Sequence, residues 1–127
     1  MMKKNLATEK APAALGPYSQ GVRTGNLIFV SGQLPIDRST GTMPATIEEQ
    51  TATSLSNIRF ILESEGVSMD RVVKTTVFLS DMNNFAAMNG VYGRFFSEGC
   101  YPARSAVQAA RLPKDAMIEI EAIAEAD

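Results

Sequence analysis

The chain has 127 residues, 45% hydrophobic and 20% charged, which is enough to fold as one domain with a packed core. It contains no histidine and a single cysteine, Cys100. This composition excludes a Ser-His-Asp triad and an intrachain disulfide, and it argues against a zinc site. The net charge of -2, with Lys and Arg scattered, disfavours nucleic-acid binding.

The two lysines at positions 3 and 4 are not followed by a long apolar segment, so the first residues do not resemble a secretory signal. No apolar run is long enough to span a bilayer. Together with the low cysteine content, these features predict a cytoplasmic protein that has no membrane partner.

The first predicted elements form a β-hairpin. Strands are expected over residues 19–24 and 26–31, and the Gly25-Asn26 pair suits the tight turn between them. Proline and glycine residues then predict a loop over residues 35–45.

A first helix is predicted over residues 47–65. Thr46 and Glu49 have the spacing of a capping box, and Gly66 is a natural C-terminal stop. Apolar residues that fall on one face of this helix are Ile47, Leu55, Ile58 and Leu62.

A β-branched strand over residues 72–79 and a second helix follow. The candidate caps of this helix are Asp81, Asn83 and Asn84. Its apolar residues at helical spacing are Phe85, Met88, Tyr92 and Phe95. Gly90 and Gly93 each weaken a helix by about 1 kcal/mol relative to Ala, which indicates either close packing or a tolerant surface.

Two final strands, near residues 104–110 and 117–125, complete the order β-β-α-β-α-β-β. This order predicts an α+β fold, a mixed sheet with two helices on one face. Several strands are nevertheless apolar on both faces. Leu27 and Phe29 oppose Ile28 and Val30, and Val73, Val77 and Leu79 oppose Phe78. Because the uncovered face is too apolar for a soluble monomer, we expect an oligomer whose subunit clefts serve as ligand sites.

Arg104 places a guanidinium inside a strand-like apolar run. A buried charge without a partner is very costly, so an anion must lie nearby. That anion is either one of the chain's own carboxylates, at Glu119 or Glu121, or the carboxylate of a ligand. The residue types alone leave both possibilities open.

Six short motifs occur in a fixed order along nearly the whole chain. They are GPYSQ at 16–20, VSGQ at 30–33, Asn89, PARS at 102–105, RLPK at 111–114 and IEIEA at 118–122. Each motif is weak alone, but the ordered set is specific. It resembles the reactive intermediate deaminase (Rid, also YjgF/YER/UK) family, and within it the RidA-like branch. The resemblance implies a single Rid-family domain over residues 1–127.

The same resemblance implies a chorismate-mutase-like (YjgF-like) fold and a homotrimer with three clefts between subunits. It also implies hydrolysis of 2-iminopropanoate and 2-iminobutanoate to 2-oxo acids and ammonia. These imines are unstable products of pyridoxal-dependent serine and threonine dehydratases, so a functional link to such enzymes follows. The chemistry requires neither a metal nor a cofactor.

Two residues are expected to act directly on the substrate. Arg104 can hold the substrate carboxylate through two parallel hydrogen bonds. Glu121 can orient the attacking water or take its proton. A strand glutamate at this position is otherwise a solvated side chain.

Further substrate-binding positions are implied by the resemblance. They are Tyr18, Ser31, Asn89 and the backbone groups near Ala106 and Val107. The structural alternatives are a turn-packing aromatic at Tyr18, a strand end at Ser31 and a polar helix position at Asn89. Many relatives carry cysteine where this chain has Ala106, so a thiol-dependent mechanism is excluded at that position.

Two other functions remain open. The same cleft, in a trimer that binds small carboxylates without turnover, could regulate a partner protein. RNA cleavage, an activity with which some relatives have been labelled, is disfavoured by the acidic balance and the absence of histidine.

Overall fold

The computed structural model describes residues 2–127, which form a mixed six-stranded sheet and two α-helices. The strands are β1 (Lys4–Leu6), β2 (Gly21–Thr24), β3 (Leu27–Gln33), β4 (Val72–Leu79), β5 (Ala103–Gln108) and β6 (Ile118–Glu125). The helices are α1 (Ile47–Glu63) and α2 (Phe85–Tyr92). The sheet order is β1-β2-β3-β6-β4-β5, in which β4 and β5 run parallel and the other neighbours are antiparallel.

The predicted α+β order is confirmed, and the structure adds one short strand before it. Strand β1 pairs with β2 and buries only Leu6 of its three residues. A segment of three residues is too short to show an alternation of apolar and polar residues, so no strand was predicted there. Contacts from distant residues hold it, including the ion pair of Lys4 with Glu65 at 2.9 Å.

Helix α1 begins where the capping pair predicts. Thr46 Oγ1 accepts a hydrogen bond from the Glu49 backbone N–H at 3.1 Å. The Glu49 carboxylate, however, accepts from the Thr46 hydroxyl at 2.9 Å, not from its backbone N–H. The helix ends at Glu63, two residues earlier than predicted, and Gly66 follows with φ of 69°.

Helix α2 is shorter than its apolar repeat suggested, because the last turn, Gly93–Phe95, is a 3₁₀ helix. A Cβ added to Gly90 or Gly93 would meet no atom within 4 Å. The described chain therefore supports the tolerant-surface interpretation of these two glycines.

The two faces of the sheet differ in burial. One face packs against the helices through a core that includes Ile28, Val30, Val77, Leu79, Ile118 and Ile120. The opposite face, here called the open face, leaves Leu27, Phe29 and Val107 between 37% and 44% exposed in one chain. The described residues contain no helix long and apolar enough to cross a membrane.

Val73 was predicted to share a face with Val77 and Leu79, and this is wrong. The register of β4 against β6 shifts between Val72 and Lys74, so Val73 is the extra residue of a β-bulge. As a result Val72 is buried at 3% exposure, whereas Val73 is 45% exposed.

Candidate active site

Arg104 lies on β5, an edge strand of the sheet, and points toward α2. It stands opposite Thr75 of β4, a residue that is 1% exposed. Its Nη1 donates to Asn89 Oδ1 at 2.7 Å. Its Cζ lies 4.8 Å from the centroid of the Tyr92 ring and 5.4 Å from that of Phe85. Arg104 is half-buried as a residue, and its guanidinium is held by one amide and two aromatic rings.

No carboxylate among residues 2–127 forms an ion pair with Arg104. The register explains why. On β4, Thr76 faces Glu121 and Phe78 faces Glu119, so both glutamates point away from the face that carries Thr75 and Arg104. The structural alternative of an internal bridge to Glu119 or Glu121 does not hold within one chain. Arg104 retains N–H donors for an external anion.

Glu121 lies on the open face, in a groove of about 360 Å³ that also contains Ser31, Lys74 and Thr76. The Lys74 ammonium donates to Ser105 Oγ at 3.1 Å, which places a cation beside this groove. Glu121 is exposed, as expected for a strand residue on an uncovered face. The structure thus brings Ser31 and Glu121 together.

Tyr18 lies just before the start of β2 and Ser31 near the end of β3, away from Arg104. The Ser31 hydroxyl donates to the Ser19 carbonyl oxygen at 2.6 Å, and its backbone N–H donates to the Gln20 carbonyl at 3.0 Å. Tyr18 is 55% exposed on the preceding turn. Strands β3 and β5 are three inter-strand spacings apart, or about 14 Å.

Ala106 and Val107 follow Arg104 along β5 and lie on alternate faces. Ala106 is half-buried opposite Val77, whereas Val107 is 44% exposed on the open face. One chain therefore presents two groups of the predicted residues. Arg104, Asn89 and Ala106 form one group, and Ser31 and Glu121 form the other.

A family model described as Endoribonuclease L-PSP matches residues 8–126. The chain belongs to this family. It is 53% identical over 125 residues to the 2-iminobutanoate/2-iminopropanoate deaminase of Escherichia coli strain K12, a match that covers 97% of this chain and 98% of that protein.

Two solved structures are closely similar to this chain. The YjgF gene product from E. coli has a TM-score of 0.92 and 52% identity over 96% of this chain and 98% of its own. E. coli TdcF with bound serine has a TM-score of 0.92 and 45% identity over 98% of this chain and 99% of its own. The resemblance to YjgF/Rid proteins, and with it the fold, is confirmed.

Within this L-PSP family chain, Glu119 is a candidate that the sequence reasoning did not select as a site residue. It is half-buried on the open face, and burial raises the pKa of its carboxyl above the ordinary 4.5, with the charge of Glu121 raising it further. A Cβ added to Gly32 would lie 2.8 Å from Glu119 Oε2, so glycine is what leaves room for the carboxylate. A perturbed carboxyl of this kind is typical of functional sites.

Glu119 and Glu121 occupy equivalent positions in the alternating IEIEA motif, so the motif does not distinguish them. It also does not predict that Gly32, on the neighbouring strand, lies beside Glu119. Phe85 and Tyr92 were likewise interpreted only as apolar helix positions. Their contact with Arg104 depends on how α2 lies over β5, which helical periodicity does not report. Among residues 2–127, no group of three or more His, Cys, Asp or Glu is arranged to hold a metal ion.

Proposed function

We propose that this chain hydrolyses small 2-imino acids, 2-iminopropanoate and 2-iminobutanoate, to 2-oxo acids and ammonia. The observation that carries the proposal is the Arg104 guanidinium, which an amide orients and no carboxylate of the described chain neutralises. Such a group binds a carboxylate through two parallel hydrogen bonds. The E. coli relative named for this deaminase activity supports the reaction, and serine bound to TdcF supports a small amino-acid-like ligand.

The reaction then needs only a positioned water. With the carboxylate on Arg104, the neighbouring C=N carbon is fixed in place, and water adds to it while a proton passes to the imine nitrogen. The carbinolamine collapses to the C=O group as the C–N bond breaks and ammonia leaves. A carboxylate that orients the water and accepts its proton completes the chemistry.

Glu121 and Glu119 are the two carboxylates available for this role. Glu121 is the residue that the sequence analysis selected. Glu119 is the stronger candidate on physical grounds, because its half-buried carboxyl has a raised pKa and Glu121 is exposed. A general base works best when its pKa lies close to the operating pH.

We further propose that each site lies between subunits of a homotrimer. Arg104 and the two glutamates occupy opposite faces of one sheet, so a substrate held by Arg104 requires the carboxylate of a second copy. The apolar open face, with Phe29 41% and Val107 44% exposed, supports the burial of this surface against another subunit. Tyr18 and Ser31 then come with the second copy's glutamates to line the cleft.

We also propose that the protein acts in the cytoplasm, together with the pyridoxal-dependent dehydratases that release the imines. The single cysteine, Cys100, fits a reducing compartment. We propose no cofactor, because imine hydrolysis consumes only water.

The test is a dehydratase assay in which an added amine traps the imine and competes with its hydrolysis. Wild-type protein should speed 2-oxo acid release and reduce trapping, whereas Arg104→Ala should lose this effect with unchanged thermal unfolding. Arg71→Ala is the matched control, because it removes an arginine that pairs with Glu125 and Asp127 and is not among the residues in contact with Arg104. Equal rates with and without wild-type protein contradict the proposal. Tight 2-oxo acid binding in calorimetry without turnover favours the regulatory trimer.

A further inference from the structure

Helix α2 presents three side chains to Arg104 from one of its faces. Phe85, Asn89 and Tyr92 are spaced i, i+4 and i+7, so they form a single stripe. Asn89 accepts one hydrogen bond, and the two rings lie 5.4 Å and 4.8 Å from the guanidinium carbon. The contacts described for Arg104 are thus one polar partner and two aromatic ones.

Aromatic rings hold a cation differently from a carboxylate. The negative face of the ring attracts the guanidinium through its quadrupole and does not take up its N–H donors as a hydrogen-bond acceptor does. A carboxylate partner would occupy two parallel donors and neutralise the charge. Arg104 uses one N–H to Asn89 and keeps its charge and its remaining donors available.

Tyr92 is itself fixed in place. Its hydroxyl shares a 2.7 Å hydrogen bond with Thr75 Oγ1, and Thr75 is the β4 residue directly opposite Arg104. Phe96 packs on Tyr92 with ring centroids 5.0 Å apart. Burial raises the pKa of the Tyr92 phenol above its ordinary 10.0, so the ring stays neutral beneath the cation. A ring held by β4 and by Phe96 cannot turn away without breaking a buried hydrogen bond.

We propose that Phe85 and Tyr92 are positioning residues that orient the Arg104 guanidinium in place of an acidic partner, so that its free N–H edge receives the substrate carboxylate. The inference rests on the proposed function, because it deepens the role of Arg104. The two rings then have a role beyond core packing, and this role can be measured as an effect on the affinity of Arg104 for a carboxylate ligand.

The first measurement is the affinity for 2-oxobutanoate, a stable product of the proposed reaction, by titration calorimetry. Tyr92→Leu and Phe85→Leu should each weaken binding by about 3- to 10-fold. They should lower kcat/KM for the imine by a similar factor with kcat little changed, because the carboxylate contact is made equally in the ground and transition states. Tyr92→Phe keeps the ring and its packing on Phe96, so its affinity should stay within about twofold of wild type.

Val91→Ala is the matched control. Val91 is buried on the same helix, but it is not one of the side chains that contact Arg104. Val91→Ala and Tyr92→Leu should therefore both lower thermal stability, while only Tyr92→Leu weakens 2-oxobutanoate binding.

Equal loss of affinity in the two variants would overturn the proposal, because it would indicate a merely structural effect. If Tyr92→Leu fails to fold, the test is made with Phe85→Leu, because Phe85 is only half-buried. An unchanged affinity of Phe85→Leu for 2-oxobutanoate would then overturn the inference. Failure of the proposed function looks different, because the wild-type protein itself would then fail to speed 2-oxo acid release in the dehydratase assay, whatever the affinities of the ring variants.

Discussion

Arg104 and Glu121 point to opposite sides of the same sheet, although a single strand, β4, separates the two strands that carry them. On β4, Thr75 stands opposite Arg104, and the next residue, Thr76, stands opposite Glu121. Successive strand residues face opposite sides, so this register keeps the cation and the carboxylate apart in one chain. In the proposed mechanism the substrate contacts both groups, and it would then lie between two copies.

Mixing two inactive variants tests this arrangement. Arg104→Ala and Glu119→Ala are each expected to lose imine hydrolysis as separate proteins. After they are unfolded and refolded together in equal amounts, about a quarter of all the sites in the refolded trimers should contain both intact groups. The dehydratase-trap assay should then recover about a quarter of the wild-type rate.

The control for this experiment is a mixture of the two variants that has not been refolded together. A mixture that stays inactive after joint refolding, while sedimentation shows mixed oligomers, would argue against a site shared between copies. Arg104→Ala can also be refolded with Glu121→Ala in place of Glu119→Ala. Comparing the activity of Glu121→Ala alone and after this refolding shows which glutamate contributes to the shared site.

The fold was predictable because its main signals are local. The Thr46 cap, the β-branched strand β4 and the hairpin at Gly25 each depend on residues adjacent in sequence. The bulge that exposes Val73 was not predictable, because it arises from the pairing of β4 with β6. The same limitation explains why the three-residue strand β1 was missed.

The candidate site was predictable only in its residue types. The motifs selected Arg104 and Asn89, which the structure brings into contact at 2.7 Å. The role of Phe85 beside Arg104 and the fit of Glu119 against Gly32 depend on elements that pack together from distant parts of the sequence. Those contacts are set by the tertiary structure, so a single sequence contains no direct signal for them.

Ionisation of Glu119 should destabilise the fold as the pH rises. Its pKa is raised in the folded state, so the folded chain holds this proton more tightly than the unfolded chain. Stability is therefore lost as the pH rises from the ordinary 4.5 through the raised value. Glu119→Gln should raise the melting temperature at pH 7 by on the order of 2 °C, and the difference should vanish below about pH 4.

Glu119→Gln should also reduce imine hydrolysis more than Glu121→Gln, which is the matched control on the same strand and face. A variant that is more stable yet less active is typical of a residue kept for function. Thermal unfolding across pH 3.5 to 8 and the trap assay measure the two effects. A stability gain that is the same at every pH would contradict the assigned ionisation.

Gly32→Ala should impair hydrolysis without unfolding the protein. The new Cβ would lie 2.8 Å from Glu119 Oε2, and the end of that side chain can move more easily than the backbone. Displacing the carboxylate by about 1 Å should lower kcat/KM by at least about tenfold. The melting temperature should stay within about 3 °C of wild type.

Gly90→Ala is the control for this substitution, because its Cβ meets nothing within 4 Å. It should stabilise α2 by about 0.5–1 kcal/mol in chemical denaturation and leave hydrolysis unchanged. Full activity in Gly32→Ala would mean that the position of Glu119 does not matter to the reaction.

A charge on the open face should dissociate the oligomer. Phe29 is 41% exposed in one chain, on the face that we propose is buried between subunits. Phe29→Glu would place a carboxylate in that apolar interface, where an unpaired charge is strongly disfavoured. Analytical ultracentrifugation should show a shift from trimer to monomer, and hydrolysis should fall with it because each site needs two copies. Met82→Glu is matched in exposure at 37%, lies off the sheet before α2, and should leave assembly intact. A trimer that persists in Phe29→Glu, with its activity retained, would place the subunit contact on another surface.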